Sequence, residues 1–161
     1  MDTSIPFFVY GTLIPGQPND SYWGESVLKT EPAVYGHGRL VSLNAFPMLL
    51  EDIDSETGIV GVLVYVSAAD YADVMSTIDQ LEEYDPENGD SPYQRVLREV
   101  KTEAAEVKTA WLYLGKPEIG NQYPTIESGD WVLYLRSIQS DGMTQWWREK
   151  GESLLFGRSL D

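Results

Sequence analysis

The stretch Ser67–Glu83, SAADYADVMSTIDQLEE, decides the fold class, because it is the one clear helical pattern between β-like segments. Ser67 is the predicted N-cap, and the acidic Asp70 follows three residues later. The apolar residues have the spacing of a single buried stripe. They are Tyr71, Val74, Met75, Ile78 and Leu81. The segment therefore predicts a helix that packs one side against a core.

Glu82 is a carboxylate on the apolar side of this predicted helix. At about 100° per residue it falls roughly 20° from Tyr71, near the middle of the stripe. A charge directed at a core is costly unless it is paired or protonated, and such carboxylates are enriched at functional sites. The alternative is that the helix frays before Glu82 and leaves the side chain at the surface.

Several β-like segments surround the helix. Ile5–Tyr10 ends at Gly11, before a loop rich in Gly, Pro and Asn. The other predicted strands are Ala33–Leu43, Ile59–Val66, Tyr93–Lys101, Glu106–Leu114 and Trp131–Leu135. The short connection TEAA predicts a hairpin, and glycine in and beside Ile59–Val66 predicts a bend or a close backbone approach. Many strands with one central helix predict an α+β fold, with a mostly antiparallel sheet curled into a small β-barrel.

The length and the apolar content suit one domain with a core. The chain has 161 residues, 42% of them hydrophobic, and we predict a single domain over residues 1–161. No run approaches the roughly 20 apolar residues that cross a bilayer, and the N-terminus lacks the basic region of a signal peptide. We therefore expect a soluble, cytoplasmic protein. No packing is predicted for Met143–Phe156, which contains Trp146 and Trp147.

The composition excludes several kinds of site and partner. The chain has no cysteine, and its single histidine, His37, lies between two glycines. Thiolate and histidine zinc sites are therefore excluded, and we expect no metal, with His37 structural or exposed. The acidic segment Glu82–Asp90 lacks the spacing of a calcium loop. The net charge of −15 repels phosphate groups, so we expect neither nucleic acid nor a membrane surface as a partner.

Short motifs occur in a specific order along the chain. They are FVYGTLIPGQPN at Phe8–Asn19, G-R-L at Gly38–Leu40, F-P at Phe46–Pro47, the strand Gly61–Tyr65, D-x-L-E at Asp79–Glu82, Y-x-R at Tyr93–Arg95 and S-G-D-W at Ser128–Trp131. With them the chain resembles the γ-glutamylcyclotransferase superfamily, in the branch of AIG2-like proteins and γ-glutamylamine cyclotransferases. The resemblance covers about residues 7–131, and the tail 132–161 stays unassigned.

The resemblance implies a fold and a site. The fold is a small β-barrel with flanking helices and a pocket at one opening. Glu82, as the glutamate of D-x-x-E, is implied to be the catalytic acid/base, and Tyr93 is implied to lie close to the substrate. Converging N–H groups of a backbone turn are implied to hold the substrate's α-carboxylate. The residues of this turn are Tyr10, Gly11, Thr12 and Leu13. By themselves, YGTL is also an ordinary strand end and Tyr93 also a barrel-wall aromatic.

The implied reaction forms a lactam within one small-molecule γ-glutamyl substrate. The free α-amine attacks the γ-carbonyl, closes 5-oxoproline and expels an amine. No cofactor is expected, because nucleophile and electrophile share one molecule. We expect desolvation to raise the pKa of Glu82, which then takes the α-amine proton and returns it to the leaving amine. The leaving amine and the oligomeric state stay open.

Three other functions remain as alternatives. A non-catalytic binding module for a small carboxylate metabolite would use the same pocket without turnover. A carboxylate-pair hydrolase would need two inward carboxyls about 5–10 Å apart, and a pure interaction protein would need no pocket. We expect Asp79 to orient or cap rather than catalyse, and Arg95 to pair with an acid. Glu83 stands where many relatives have glycine, either raising the pKa of its neighbour or lying in solvent.

Overall fold

The computed structural model describes residues 1–138, which form a β-barrel, a separate hairpin and short helices. The bounds are β1 Phe7–Val9, β2 Val27–Tyr35, β3 Gly38–Ser42, β4 Pro47–Glu51, β5 Ile59–Val66, α1 Tyr71–Leu81, β6 Tyr93–Thr102, β7 Val107–Gly115 and α2 Pro117–Gly120. A 3-10 turn spans Asp20–Trp23. The predicted α+β class is confirmed.

Five of the described strands close into a barrel in the order β1-β5-β2-β6-β7. Neighbouring strands are antiparallel except β1 and β7, which complete the barrel in parallel. The predicted hairpin is β6 and β7, paired from Tyr93 opposite Gly115 to Lys101 opposite Val107. The mostly antiparallel barrel is therefore confirmed, and the described strands β3 and β4 pair with each other outside it.

The prediction of one strand over Ala33–Leu43 is wrong. The chain bends at Gly36, so that β2 ends at Tyr35 and β3 begins at Gly38 as part of the separate hairpin. The first half of β2, from Val27, was missed because its side chains are mostly exposed and polar. An apolar pattern that continues across a bend does not show the bend, since both strands share the period of two.

Helix α1 begins at Tyr71, later than predicted. Asp70 occupies the N-cap position, and the hydroxyl of Ser67, the predicted N-cap, donates to Oδ2 of Asp70 at 2.8 Å. The predicted apolar side is confirmed, because four side chains are buried in the main core cluster. They are Tyr71, Val74, Met75 and Ile78. Burying an apolar side chain of this size contributes about 1.5–3 kcal/mol, so these residues hold α1 against the core.

Strand β5 carries the predicted close backbone approach at Gly61. A Cβ atom there would collide with the carbonyl oxygen of Val9 and with the ring of Phe8. Gly61 therefore lets the three-residue strand β1 lie tightly against β5. The strand is not buried on both sides throughout, since Val60 is 40% exposed.

The prediction of a last strand at Trp131–Leu135 is wrong, because residues 131–138 are helical. Trp131–Leu135 is a run of five consecutive apolar residues, and such a short run fits a strand and one turn and a half of helix about equally well, so periodicity could not decide between them. Among the described residues, no helix has the length and the apolar content that crossing a membrane requires.

The unit Met1–Trp131 contains the barrel and the hairpin, and Val132–Asp161 is divided from it. The assignment of residues 1–161 to a single domain stays a prediction. The segment Met143–Phe156 lies outside the described residues.

Candidate active site

A pocket opens where β1 ends and β6 begins, and it brings together every site residue predicted from the sequence. These are Tyr10, Gly11, Thr12, Leu13, Glu82 and Tyr93. Phe46 and Pro47, at the start of β4, and Tyr113 of β7 also line it. No site role was predicted for these three residues, although Phe46 and Pro47 form the F-P motif. The catalytic and binding roles of the six stay predictions at this point.

Glu82 is the first residue after helix α1. Its N–H group donates to the carbonyl of Ile78 at 2.9 Å, so the helical course continues up to it. Among residues 1–138, no donor hydrogen-bonds to its carboxylate, and desolvation raises the pKa of Glu82 to about 7. The alternative in which the helix frays earlier and leaves Glu82 in solvent therefore does not describe this structure.

The turn after Glu82 ends helix α1 and fixes the backbone that carries the Glu82 side chain. Glu83 has φ +56°, a left-handed conformation, and its N–H donates to the carbonyl of Gln80 at 3.1 Å. The N–H of Tyr84 donates to the carbonyl of Asp79 at 2.8 Å. These two bonds form a Schellman helix end, whose left-handed position glycine favours. Glu83 is exposed, so the expectation that it lies in solvent fits, and burial alone accounts for the raised pKa of Glu82.

The hydroxyl groups of two tyrosines beside Glu82 donate hydrogen bonds to backbone carbonyls. Tyr10 donates to the carbonyl of Tyr113 at 2.7 Å, and Tyr93 donates to the carbonyl of Pro47 at 3.1 Å. Burial, together with the negative charge of Glu82, raises the pKa of Tyr93, so it keeps its proton. A phenol has one proton to donate. These groups therefore do not donate to Glu82, which explains why its desolvation is uncompensated.

The loop after β1 presents backbone donors to the pocket. Within residues 1–138, the N–H groups of Gly11, Thr12 and Leu13 have no hydrogen-bond acceptor. Gly11 is required here by close packing, because a Cβ atom would lie 2.5 Å from Cγ of Pro47. Successive free N–H groups in a turn make a concave site for an anion.

The remainder of the loop is fixed by hydrogen bonds. The indole N–H of Trp23 donates to the carbonyl of Leu13 at 2.7 Å. Asn19 donates twice to Thr12, from its side-chain Nδ2 to Oγ1 at 2.9 Å and from its backbone N–H to the carbonyl at 2.8 Å. The loop Tyr10–Leu13 is therefore held in place by hydrogen bonds within the protein itself.

Asp79 and Arg95 form an ion pair behind the pocket wall. Nε of Arg95 lies 2.9 Å from Oδ1 of Asp79, and both side chains are about 15% exposed or less. The hydroxyl of Tyr113 donates to the same Oδ1 at 2.6 Å. The guanidinium of Arg95 also stacks 4.4 Å from the ring centre of Trp111. The carboxylate of Asp79 is therefore occupied by Arg95 and Tyr113, and its role as an orienting or capping residue stays a prediction.

The sequence of this chain matches a known protein family. The family model described as "Gamma-glutamyl cyclotransferase, AIG2-like" matches residues 7–133. The chain belongs to this family. Comparison with curated protein sequences gives no match. In the described part of this AIG2-like chain, no group of three or more His, Asp or Glu side chains is arranged to hold a metal.

Solved structures share the fold of this AIG2-like chain. An AIG2-like protein from Mus musculus is 25% identical over 77% of this chain and 86% of its own length, with a TM-score of 0.52. YkqA from Bacillus subtilis is 21% identical over 87% of this chain, with a TM-score of 0.61. The chain spans only 42% of the length of YkqA. A yeast γ-glutamyl cyclotransferase specific to glutathione is 12% identical over 76% of this chain and 71% of its own, with a TM-score of 0.52.

Proposed function

We propose that this chain is a γ-glutamyl cyclotransferase, which converts a small γ-glutamyl amine or γ-glutamyl amino acid to 5-oxoproline and a free amine. One observation carries the proposal. The carboxyl of Glu82, with a pKa of about 7, shares a pocket with a loop whose backbone N–H groups meet no acceptor in the part of the chain that the structure describes. Membership of the family supports an enzyme at the level of the family.

Substrate binding uses the two sides of the pocket differently. The N–H groups of Gly11, Thr12 and Leu13 donate hydrogen bonds to the substrate's α-carboxylate. Backbone donors suit this task, because the net charge of −15 opposes an anionic ligand. The carboxylate of Glu82 and the phenolic oxygen of Tyr93 offer acceptors to the α-ammonium, since the proton of Tyr93 is committed to Pro47. The substrate is therefore held by both ends of its amino-acid group.

The chemistry needs one group that moves a proton twice. Glu82 takes a proton from the α-ammonium, and the amine nitrogen then attacks the γ-carbonyl carbon. The C–N bond of the five-membered ring forms, and the bond to the leaving nitrogen breaks as Glu82 returns the proton to that nitrogen. The ring nitrogen still carries one proton more than a lactam does, and this second proton passes to the departing amine, which leaves as an ammonium ion. A pKa of about 7 suits both transfers near neutral pH, and such catalysis contributes about 10²–10⁴-fold in rate.

The enzyme's other contribution is to hold the substrate folded. An α-amine in an extended γ-glutamyl chain lies away from its γ-carbonyl, and fixing both groups in an attacking geometry removes much of the entropic barrier.

The strongly acidic chain favours a cationic leaving amine, such as the side-chain amine of a lysine derivative.

The test is a screen of γ-glutamyl amino acids and γ-glutamyl-ε-lysine, with 5-oxoproline as the measured product. We expect Glu82→Gln to abolish product while ligand binding persists, because the amide cannot accept and return the proton. Glu83→Gln is the matched control, since Glu83 is exposed and adjacent, and it is expected to retain turnover. A wild-type chain that binds these compounds without releasing lactam would instead be a binding module.

A further inference from the structure

Asn19 closes the loop motif but takes no part in the chemistry proposed above. It is half-buried, beside the pocket rather than in its lining. Both of its hydrogen-bonding contacts to Thr12 run in the same direction, from Asn19 as donor to Thr12 as acceptor, at 2.9 and 2.8 Å. Two donations from one residue to another are more than loop closure requires, since the backbone bond alone closes the turn.

The direction of the side-chain bond determines what the hydroxyl of Thr12 can do. An amide nitrogen only donates, so Oγ1 of Thr12 must be the acceptor in this contact. The proton on Oγ1 is then left over, and no acceptor takes it among residues 1–138. Thr12 lines the pocket beside Gly11 and Leu13. The hydroxyl therefore adds a side-chain donor to the free N–H groups of the same loop.

We propose that Asn19 is a positioning residue, which orients the hydroxyl of Thr12 as a hydrogen-bond donor to the substrate's α-carboxylate. This inference rests on the proposed function, because it assigns the α-carboxylate to the loop. Tyr93 shows the opposite arrangement, since its proton is committed to Pro47 and its oxygen is left as an acceptor. The pocket thus separates donors from acceptors, in the arrangement that an α-amino acid group requires.

The experiment measures ligand binding in the Glu82→Gln background, where no turnover interferes. Asn19→Asp keeps the shape but replaces the donor by an acceptor, which takes the proton of Thr12 away from the ligand. We expect it to weaken binding of a γ-glutamyl amine about tenfold or more. Thr12→Val removes the hydroxyl but keeps a similar shape, and it is expected to weaken binding several-fold. Thr12→Ser keeps the hydroxyl and is expected to bind the ligand as the Glu82→Gln parent does.

A second ligand separates positioning from simple damage to the fold. The decarboxylated analogue, an N-substituted 4-aminobutanamide, has the amine and the amide but no α-carboxylate. Titration followed by NMR is expected to show that neither Asn19→Asp nor Thr12→Val changes its dissociation constant. Equal weakening of both ligands, or no effect of Thr12→Val on either, overturns the role of Asn19. Failure of the unaltered chain to release 5-oxoproline would count against the proposed function instead, so the two failures are distinguishable.

Discussion

The hydroxyl of Tyr113 donates to Oδ1 of Asp79 at 2.6 Å and thereby joins the pocket wall to helix α1. The carbonyl of Tyr113 accepts a hydrogen bond from the hydroxyl of Tyr10, so the same residue also holds the start of the loop Tyr10–Leu13. Arg95 neutralises the shared carboxylate from β6. The helix end that carries Glu82 is therefore fixed to β6, to β7 and to the loop after β1 by one polar network.

Tyr113→Phe tests this network. The change removes a hydrogen bond to a charged and mostly buried carboxylate, which is worth about 1.5–3 kcal/mol. We expect the free energy of unfolding, measured by urea denaturation, to fall by that amount. Tyr22→Phe is the control, because Tyr22 is 42% exposed, and a change within about 0.5 kcal/mol is expected there. Equal effects of the two substitutions would show that the bond to Asp79 contributes nothing specific.

Glu82→Gln should stabilise the fold at alkaline pH. The pKa of Glu82 is raised from 4.5 to about 7 in the folded chain, so the folded state binds the proton more tightly than the unfolded state. The wild-type free energy of unfolding therefore falls as the pH rises from about 4.5 to about 7. The loss is on the order of 3 kcal/mol, since each unit of pKa difference corresponds to about 1.4 kcal/mol.

The measurement is denaturant unfolding of both proteins at pH 4 and pH 8. Glu82→Gln is expected to gain stability relative to wild type between these two pH values, because the amide carries no charge to desolvate. Glu83→Gln should follow the wild-type pH dependence, since that side chain lies in solvent. A constant difference between wild type and Glu82→Gln at both pH values would refute buried ionisation at this site.

The pH dependence of turnover should report the same group. Glu82 accepts a proton only when it is ionised, so kcat/KM for a γ-glutamyl amine is expected to fall about tenfold per pH unit below its pKa of about 7. Initial rates of 5-oxoproline release between pH 5 and pH 9 measure this limb. An acid limb near pH 4 would mean that the base is not desolvated in the free enzyme.

Glu83→Gly should raise stability. The φ of +56° at Glu83 is costly for a residue with a Cβ atom, by about 1–2 kcal/mol, and glycine suits this helix-end position. Glu83→Ala is the matched control, because it removes the same charge but keeps the Cβ atom. We expect thermal or urea unfolding to rank glycine above alanine by about 1 kcal/mol. Equal stability of the two variants would contradict a strained helix end.

Gly11→Ala should damage the loop to which we assign the substrate's α-carboxylate. The added Cβ atom would meet Cγ of Pro47 at 2.5 Å, so the loop or the hairpin must move. We expect a loss of about 1–3 kcal/mol in stability and a raised KM for γ-glutamyl substrates. Gly36→Ala is the control, since a Cβ atom there meets nothing within 4 Å. Unchanged KM in Gly11→Ala would place the substrate elsewhere.

The periodic features of the fold were predictable from the sequence, and the long-range ones were not. Ile59–Val66 was predicted with the bounds that β5 has, and the β6–β7 hairpin within a residue or two, because alternation and turn residues act locally. The prediction of one strand over Ala33–Leu43 was wrong at Gly36, because the chain leaves the barrel there and enters the β3–β4 hairpin. Whether a strand continues or turns away depends on tertiary packing, that is, on which other segments its side chains can pack against. The local sequence pattern does not contain that information.

The site divides in the same way. Helical spacing and motif order pointed to Glu82, the loop Tyr10–Leu13 and Tyr93, and all of them line one pocket. Phe46, Pro47 and Tyr113 were missed as lining residues, because they arrive from the hairpin and from the far strand of the barrel. The donor from Asn19 to Thr12 was missed as well. Its signal was present in the G-Q-P-N motif, but hydrogen-bond direction needs coordinates.

By itself, the sequence determined the local properties of this protein's helices and strands. It showed which segments alternate apolar and polar residues, which helix has an apolar side, and which carboxylate follows that side. Those properties depend on residues close together in the chain. The tertiary structure alone decided that the carboxylate of Glu82 would meet no donor among residues 1–138 and so have a pKa of about 7. Desolvation is a property of everything packed around a group, and the packing around Glu82 comes from segments as distant as β1 and β7.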